Sequence, residues 1–275
     1  MMAKVSRPLG ENPIGYDPSR ANRHGNNGRV DALYLISDAW GPKYGGINAF
    51  NTDFAKHLGL ALGRRLKVGC IVLEADAKEI ADAANCQVDL IPIGPSPSHA
   101  EFDPARAHDI LAALQTRQLP TDNACWIGHD TVTGDVANAM VGVAQAATVA
   151  LIHHMSYIDY QPYKHGVGQA AKDKHDRQRG LFRTAHRVFG VGPLLRDRLA
   201  DMLDRAPTDV GIIIPGMPEI DPRRVPTTFT ACTFGRLDPE NDRIKQGRLA
   251  VAGFADLCRW ADDPGRPRAL ARPPY

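Results

Sequence analysis

The sequence predicts an α/β fold in which a parallel sheet carries helices on both faces. Short apolar runs of strand length alternate with segments whose apolar residues recur every three or four positions. The runs are almost continuously apolar, as strands buried on both faces require. Turn-rich and polar segments follow several runs, and ligand sites of such folds lie beyond the carboxyl ends of the strands.

Four strands and three helices are predicted in the first half of the chain. The first run, Asp31–Ser37, precedes a helix with one apolar stripe formed by Ile47, Phe50, Phe54, Leu58 and Ala61. The next helices are expected at Asp76–Ala84 and at Asp103–Gln115, where Pro104 occupies the first turn. The other strands are expected at Lys67–Leu73, at Gln87–Ile93 and at a run that ends with Cys125–Gly128.

The same alternation continues in the second half. Thr133 is a candidate N-cap for a helix running to about Ala146. A mixed-charge helix follows, in which Lys172–Arg179 is expected to be a solvated face. That helix is expected at Gln169–Ala185. The other elements are expected as the strand Thr148–Ile152, the strand Arg187–Val191, the helix Pro193–Leu203 and the strand Val210–Ile214.

Composition divides the chain into five segments. Residues 1–28 are polar and lack periodicity, which predicts a flexible leader. Residues 29–214 form the α/β domain, and the proline-rich residues 215–227 are expected to be a linker. Residues 228–261 contain one strand and one helix of a second α/β unit, and residues 262–275 have no core-forming pattern and are expected to be a disordered tail.

Charge and cysteine content limit the possible partners and the compartment. The 275 residues include 33 basic and 31 acidic side chains, so the charge balance does not call for a nucleic-acid partner. No run is long enough to span a bilayer, and the N-terminal segment lacks the apolar core of a signal peptide. The five cysteines form no CxxC pair, which favours reduced thiols. We expect a cytoplasmic protein without a transmembrane segment.

Two glycines precede the first predicted helix. Gly45 and Gly46 end the loop after the first strand, where a helix N-terminus exposes unpaired N–H groups and a partial positive charge. Because glycine has no side chain, a phosphate or sugar oxygen can approach the backbone closely. Turn glycines without a ligand are an equally good explanation. The pair does not match GxGxxG, so no dinucleotide site is predicted.

Histidines lie at the ends of two predicted strands. Asp130 follows His129 directly, and its carboxylate can raise the basicity of that imidazole for proton transfer. His153 and His154 end the next strand, and neighbouring side chains on an extended backbone point apart. We therefore expect one of them to face the site and the other to be structural, with His153 the better candidate for the site. A histidine that only satisfies a loop backbone is the alternative.

Two cations follow the first strand of the second unit. The guanidinium of Arg236 matches phosphate oxygens, and Lys245 places a compact charge at the start of the next helix. Together they could neutralise a departing diphosphate, and such charge stabilisation is commonly the largest catalytic contribution. A surface pair without a ligand is the alternative.

The order and spacing of these motifs resemble the family 4 glycosyltransferases of the GT-B fold. The likeness covers roughly Asp31 to Trp260 and implies a Rossmann-like N-terminal domain followed by the start of a donor-binding domain. Its most specific part is Phe234–Glu240 together with Lys245. The other matching segments are the glycine loop Gly45–Phe50, the strand-end histidines His129 and His153, and Ala185–Leu195.

The resemblance implies a retaining transfer of a sugar from a nucleotide-diphosphate donor to an acceptor, with no metal and no other cofactor. Gly45 and Gly46 would contact donor phosphate or acceptor, and His153 would lie near the transferred sugar. Arg236 and Lys245 would hold the diphosphate. The catalytic candidates are His153, His129 and Asp130.

The sequence also departs from the family pattern. Gly192 stands where a serine is usual, and the second unit ends before the paired glutamates that grip the donor. We therefore expect a truncated or frameshifted chain of doubtful activity, with a separate polypeptide as a potential source of the rest of that domain. Two alternatives stay open. One is a non-catalytic module that binds sugar or nucleotide, and the other is a metal-dependent hydrolase that uses His129, Asp130, His153, His154 and Asp159.

Overall fold

The structure is a computed structural model and describes residues 30–42, 45–63, 65–96, 102–160, 169–216, 231 and 246–262. Contacts divide the chain into two compact units. The first consists of Met1–Ser156 and Asp173–Gly216, and the second of Tyr157–Lys172 and Met217–Tyr275. The leader, the strand at the start of the second α/β unit and residues 263–275 of the tail lie outside the described residues, so their predictions stay untested.

A parallel sheet of seven strands forms the centre of the first unit. The order is β3-β2-β1-β4-β5-β6-β7, and every neighbouring pair is parallel. This order confirms the predicted Rossmann-like α/β fold class. The strands are β1 (Ala32–Ile36), β2 (Lys67–Val72), β3 (Asp89–Pro92), β4 (Ala124–His129), β5 (Thr148–His153), β6 (Arg187–Val191) and β7 (Gly211–Ile213).

Helices connect the strands. Short 3-10 turns, Pro104–Arg106 and Pro207–Asp209, precede the third helix and the last strand. The predicted helix at Asp103–Gln115 therefore begins as a 3-10 turn and becomes α-helical only at Ala107. The α-helices are α1 (Gly46–Leu62), α2 (Ala77–Asn85), α3 (Ala107–Thr116), α4 (Asp130–Val143), α5 (Gln169–Thr184), α6 (Gly192–Leu203) and, in the second unit, α7 (Gly247–Asp262).

Two apolar clusters pack against opposite faces of the sheet. Successive residues of a strand point to opposite faces, so Tyr34 and Ile36 of β1 join one cluster while Leu35 joins the other. The first cluster includes buried residues from α3, α4, α5 and α6, and the second includes residues from α1 and α2. Both faces of the sheet are therefore covered, as the apolar runs of the sequence predict.

The order of strands reverses between β1 and β4. The chain proceeds from β1 towards β2 and β3 on one side and from β4 towards β5, β6 and β7 on the other. The helices that follow β1 and β4, α1 and α4, consequently leave the sheet on opposite faces. The carboxyl ends of β1 and β4 thus border the topological switch point, where folds of this type place their ligands.

The start of α4 differs from the prediction. Thr133 is not the N-cap, because the helix begins at Asp130, directly after β4, and ends at Val143. The Thr133 hydroxyl instead donates to the carbonyl of Ile36 (2.9 Å) and accepts from the backbone N–H of His129 (2.9 Å). Asp130 adopts a left-handed backbone (φ 43°), and with this sharp turn the helix starts four residues earlier than an N-cap at Thr133 would place it.

The inner face of α1 also differs from the prediction. The apolar stripe is only partly buried, and Ala61 is exposed. The fully buried positions are instead Asn48, Asn51, Thr52, Ala55 and Gly59. The first two turns of α1 therefore present a polar surface to the carboxyl ends of the strands, and the apolar contact with the sheet comes later in the helix.

None of the helices among the described residues is both long and apolar enough to cross a membrane. The described part of α7, in the second unit, is largely exposed. It corresponds to the helix that the sequence predicts within residues 228–261.

Candidate functional site

Polar side chains are concentrated beneath the carboxyl ends of β1, β4 and β5. Burial of a polar group is costly unless it is hydrogen-bonded, so a cluster of this kind requires a dense network. All of the following side chains are at most 5% exposed: Ser37, Asn48, Asn51, Thr52, His129, Asp130, Thr133, His153 and Gln178.

Asp130 is the hub of this network. Its Oδ1 atom lies 2.9 Å from Nδ1 of His153 and accepts from Nε2 of Gln178 at 2.7 Å. Its Oδ2 atom accepts from the backbone N–H of His154 at 2.8 Å. Three N–H donors therefore converge on one carboxyl group that is only 1% exposed. The left-handed φ of Asp130 is uncommon for a residue with a side chain, so the backbone at this junction is strained.

His153 is oriented by this carboxylate. Because a carboxylate only accepts hydrogen bonds, the proton of a neutral His153 must reside on Nδ1, which leaves the lone pair on Nε2. The ring packs edge-on against Phe182 of α5, with centroids 5.5 Å apart. Gln178, also on α5, fixes the other side of the carboxylate and donates to the backbone carbonyl of Met155 at 3.0 Å.

His129 and His154 form a second branch of the network. Nε2 of His129 lies 2.7 Å from Oδ1 of Asn51, and its Nδ1 lies 2.9 Å from Nε2 of His154. The amide nitrogen of Asn51 donates to the sulfur of Cys70 at 3.3 Å. Phe50 contacts both imidazole rings edge-on. The two strand-end histidines are thus linked to α1 and to β2.

Burial keeps both of these imidazoles neutral. Removal from water lowers the pKa of His129 well below its usual value, and the neighbouring His154 lowers it further. Burial also lowers the pKa of His154 to about 4, although Asp130 acts in the opposite direction. The prediction that Asp130 raises the basicity of His129 is wrong. The Asp130 carboxylate turns away from that ring and contacts His153 and the backbone of His154 instead.

The N-terminus of α1 lies on the same chain segment as Asn51. Gly45 is the N-cap residue with φ 120°, and neither a side-chain cap nor an acidic residue satisfies the first turn. A Cβ atom placed on Gly46 would meet no atom of the described residues within 4 Å. Nearby, Ser37 at the end of β1 donates to Oδ1 of Asn48 at 2.6 Å. Within the described part of the chain, the helix end thus combines amides that the N-cap residue does not cap with open space beside Gly46.

The predicted site residues are distributed as follows. His129, Asp130, His153 and His154 belong to one connected network, so both adjacent histidines take part in it. Which of the two adjacent rings faces a ligand stays a prediction. Gly45 and Gly46 begin the helix that supplies Asn51. Arg236 and Lys245 lie outside the described residues, and Asp159 belongs to the second unit.

A family model described as "Family 4 Glycosyltransferase in conflict systems" matches residues 34–272. The chain belongs to this family. The match covers most of the sequence and includes every candidate site residue. The family membership and the Rossmann-like sheet together support a glycosyltransferase-like role, as the motif order predicts.

Solved structures with a similar chain trace include a glycosyltransferase from Rickettsia africae ESF-5, at 11% identity and a TM-score of 0.44. The match covers 68% of this chain and 43% of that one, so the family 4 chain spans less than half of the length of that enzyme. An O-GlcNAc transferase mutant from Thermobaculum terrenum matches at 11% identity and a TM-score of 0.26, over 77% of this chain and 48% of that chain. An NADH-dependent reductase matches at 14% identity and a TM-score of 0.33, over 61% and 79%. No curated protein matches.

Within the described part of this family 4 chain, no group of three or more His, Cys, Asp and Glu side chains has an arrangement that could hold a metal ion. The ring nitrogens of His129 are both engaged by protein partners, and Nδ1 of His153 is engaged by Asp130. The geometry therefore offers no support to the metal-hydrolase alternative.

Sequence reasoning missed three central residues of this site. Asn48 and Asn51 are one helical turn apart, and their polarity inside the α1 segment was a signal that could have identified an inward polar face. Gln178 had no such signal, because it lies in the mixed-charge stretch that was expected to be a solvated face. Most of that stretch is exposed, whereas Gln178 is 0% exposed.

Proposed function

We propose that this family 4 chain transfers a sugar from a nucleotide-diphosphate donor to an acceptor, with retention of the anomeric configuration. The observation that carries the proposal is the convergence of His129, Asp130, His153 and His154 at the carboxyl edge of the sheet in a chain of this family. Ligands of doubly wound folds bind at that edge.

The electrostatics of the network suit a sugar better than a phosphate. His129 and His154 carry no charge near neutral pH, because burial lowers the pKa of each ring. Neutral imidazoles donate or accept single hydrogen bonds, which matches the hydroxyl groups of a sugar. A diphosphate would instead need cations or backbone amides.

The N-terminus of α1 supplies such amides. Its first turn lacks a side-chain cap, and Gly46 leaves open space beside it. The partial positive charge of a helix N-terminus favours a phosphate oxygen or another electron-rich group. We assign donor phosphate or acceptor binding to Gly45 and Gly46, and we assign the remaining neutralisation of the leaving diphosphate to Arg236 and Lys245.

His153 has the role of contacting the transferred sugar. Asp130 and Gln178 hold the side chain of His153 and the following backbone, so the ring presents Nε2 in a fixed orientation. Pre-organisation of this kind contributes to catalysis when the contact strengthens in the transition state. Asp130 acts through His153 and is therefore a positioning residue.

The full chain is to be assayed with UDP-glucose, UDP-N-acetylglucosamine, GDP-mannose and ADP-glucose, with release of the nucleoside diphosphate as the measure of turnover. The variant His153→Ala is expected to lower turnover by about 10- to 100-fold, as loss of a hydrogen bond to a charged transition state does. His108→Ala is the matched control, because His108 is exposed on α3 and outside the network.

The result distinguishes the candidate functions. Equal turnover in His153→Ala and the unmodified chain would contradict the assigned role of His153. Binding of a donor in isothermal titration without any turnover would favour the non-catalytic module. Stoichiometric zinc or manganese in the purified protein would favour the hydrolase. Anomeric proton signals of the product test retention.

A further inference from the structure

Four side chains form an unbroken path from the interior of the sheet to the exposed part of the site. Cys70 on β2 contacts Asn51, Asn51 contacts His129, and His129 contacts His154, at 3.3, 2.7 and 2.9 Å. The first three residues are 0% exposed, and His154 is partly exposed. The path therefore begins in the apolar core and ends at the surface of the network.

The direction of each hydrogen bond follows from the amide at the inner end. The amide nitrogen of Asn51 points at the Cys70 sulfur, so its carbonyl oxygen faces His129. An amide oxygen only accepts, and His129 must therefore carry its proton on Nε2. Its Nδ1 then accepts a hydrogen bond, and the donor is Nε2–H of His154. In a neutral His154 the lone pair consequently resides on Nδ1.

Nδ1 of His154 is the open end of this path. Among the described residues it has no hydrogen-bond partner, and it does not belong to the side-chain atoms that are buried without one. The backbone N–H of His154 donates to Asp130, and its Nε2 atom bonds His129. Both the main chain and the ring of His154 are therefore held in place. A fixed lone pair with no partner among the described residues can accept a hydrogen bond from a ligand.

We infer that Asn51 and His129 are positioning residues that set the tautomer of His154, and that His154 binds a hydroxyl group of the substrate through Nδ1. This inference deepens the proposed function and rests on it for the identity of the ligand as a sugar or a hydroxylated acceptor. The hydrogen-bonded path from Cys70 through Asn51 and His129 to His154, called the relay below, rests only on contacts within the protein.

The charged and titratable groups around His154 agree with a neutral hydroxyl as the ligand. Asp130 faces its backbone, His129 faces its Nε2 atom, His153 precedes it in β5, and Phe50 packs against the ring. Burial outweighs the Asp130 carboxylate and lowers the pKa of His154 to about 4. An uncharged imidazole cannot pair with a phosphate as a cation, whereas its lone pair accepts from an O–H group.

The alternative orientation of the amide makes the inference testable. If Asn51 were rotated by 180°, its nitrogen would donate to His129, and every donor along the path would reverse. His154 would then carry its proton on Nδ1 and present a donor to the ligand. The two arrangements differ in the tautomers of both histidines, which histidine ¹⁵N chemical shifts report directly.

The experiment uses the uniformly ¹⁵N-labelled full chain and long-range ¹H–¹⁵N correlation spectra between pH 5.5 and pH 8. The expected result is the Nε2–H tautomer for both His129 and His154, without protonation of His154 in this range. An Nδ1–H tautomer at His154, or a titration near the ordinary histidine pKa, would overturn the relay. The unmodified protein suffices, so the outcome does not depend on a variant that folds.

A variant then tests the link between the relay and substrate binding. Asn51→Leu removes the acceptor for His129, so we expect a mixture of tautomers at His154 and a KM for the donor that is raised about 3- to 10-fold, with a smaller change in kcat. Asn138→Leu is the matched control, since Asn138 bonds Leu181 and Thr184 outside the path. An unchanged tautomer in Asn51→Leu would contradict the relay.

The same data separate the two proposals. Absence of turnover with every donor in the panel, together with the expected tautomers, would sink the proposed function and leave the relay intact. Turnover together with the reversed tautomers would sink the relay and leave the proposed function intact.

Discussion

Two strand-to-helix junctions of the sheet have a left-handed backbone at the first helical residue. They differ in the residue that adopts it, which is an aspartate at one junction and a glycine at the other. At the junction of β4 and α4, the first helical residue is Asp130, with φ 43°. At the junction of β6 and α6, the first helical residue is Gly192, with φ 82°. In both cases the preceding N-cap residue is extended and the helix starts without a side-chain cap.

The two junctions differ in the conformational cost of the left-handed backbone. Glycine adopts positive φ without strain, and a Cβ atom at position 192 would meet nothing within 4 Å. An aspartate in the left-handed region costs about 1–2 kcal/mol. Three hydrogen bonds to the Asp130 carboxylate offset that cost. The chain thus has a strained aspartate where the side chain accepts three hydrogen bonds and a glycine where a Cβ atom would contact none of the described residues.

The largest expected effect is that of Asp130→Ala. It keeps the left-handed strain and removes the acceptor of three buried N–H groups, so we expect unfolding free energy to fall by about 3 kcal/mol or more. Urea denaturation measures this change. Asp130→Gly loses the same hydrogen bonds without the strain and should be about 1 kcal/mol more stable than Asp130→Ala.

Asp135→Ala is the control for this pair. Asp135 lies on the same helix and pairs with the exposed Arg177, so its loss should cost less than about 1 kcal/mol. Equal stabilities of Asp130→Ala and Asp130→Gly would mean that the backbone at this junction stores no strain.

The sequence was sufficient to predict the fold for a physical reason. Strands buried on both faces must be continuously apolar, so β1 to β7 were visible as runs, and the alternation with helices implied parallel pairing. His129 of β4 and His153 of β5 lie at the same edge of the sheet, because the carboxyl ends of neighbouring parallel strands share one edge.

The partners within the site could not be predicted in the same way. The Asp130 carboxylate contacts His153 and not the ring of His129, and it does so from a left-handed backbone that the residue types at the junction do not indicate. The role of Gln178 depends on the rotation of α5 about its own axis, and a helix of mixed charge does not reveal that rotation. Such choices arise from tertiary packing, and local sequence patterns do not record them.

A change of pH is expected to alter the free energy of unfolding by less than Asp130→Ala does. This change should arise at the junction that contains the histidines. The pKa of His129 and that of His154 are lowered in the folded state, so the unfolded chain binds more protons below the ordinary histidine pKa. Stability should therefore fall as the pH decreases, by about 2 kcal/mol between pH 7 and pH 5 for His154 alone. Urea denaturation at several pH values measures this slope. His154→Gln should make the slope shallower, and an unchanged slope would show that this ring does not titrate on unfolding.

The smallest expected effect belongs to the other junction. Gly192→Ala places a Cβ atom in open space, so the cost should come from the left-handed backbone alone and amount to about 1 kcal/mol in urea denaturation. Gly180→Ala provides the matched control. That glycine lies inside α5, has equally open space around it and has no positive φ, so alanine should be neutral or slightly stabilising. If both substitutions were neutral, the helix start at Gly192 would not require the left-handed conformation, and strain would be confined to Asp130. A loss at Gly192 that clearly exceeds the expected value would instead mean that this junction, too, is held by contacts that a side chain disturbs.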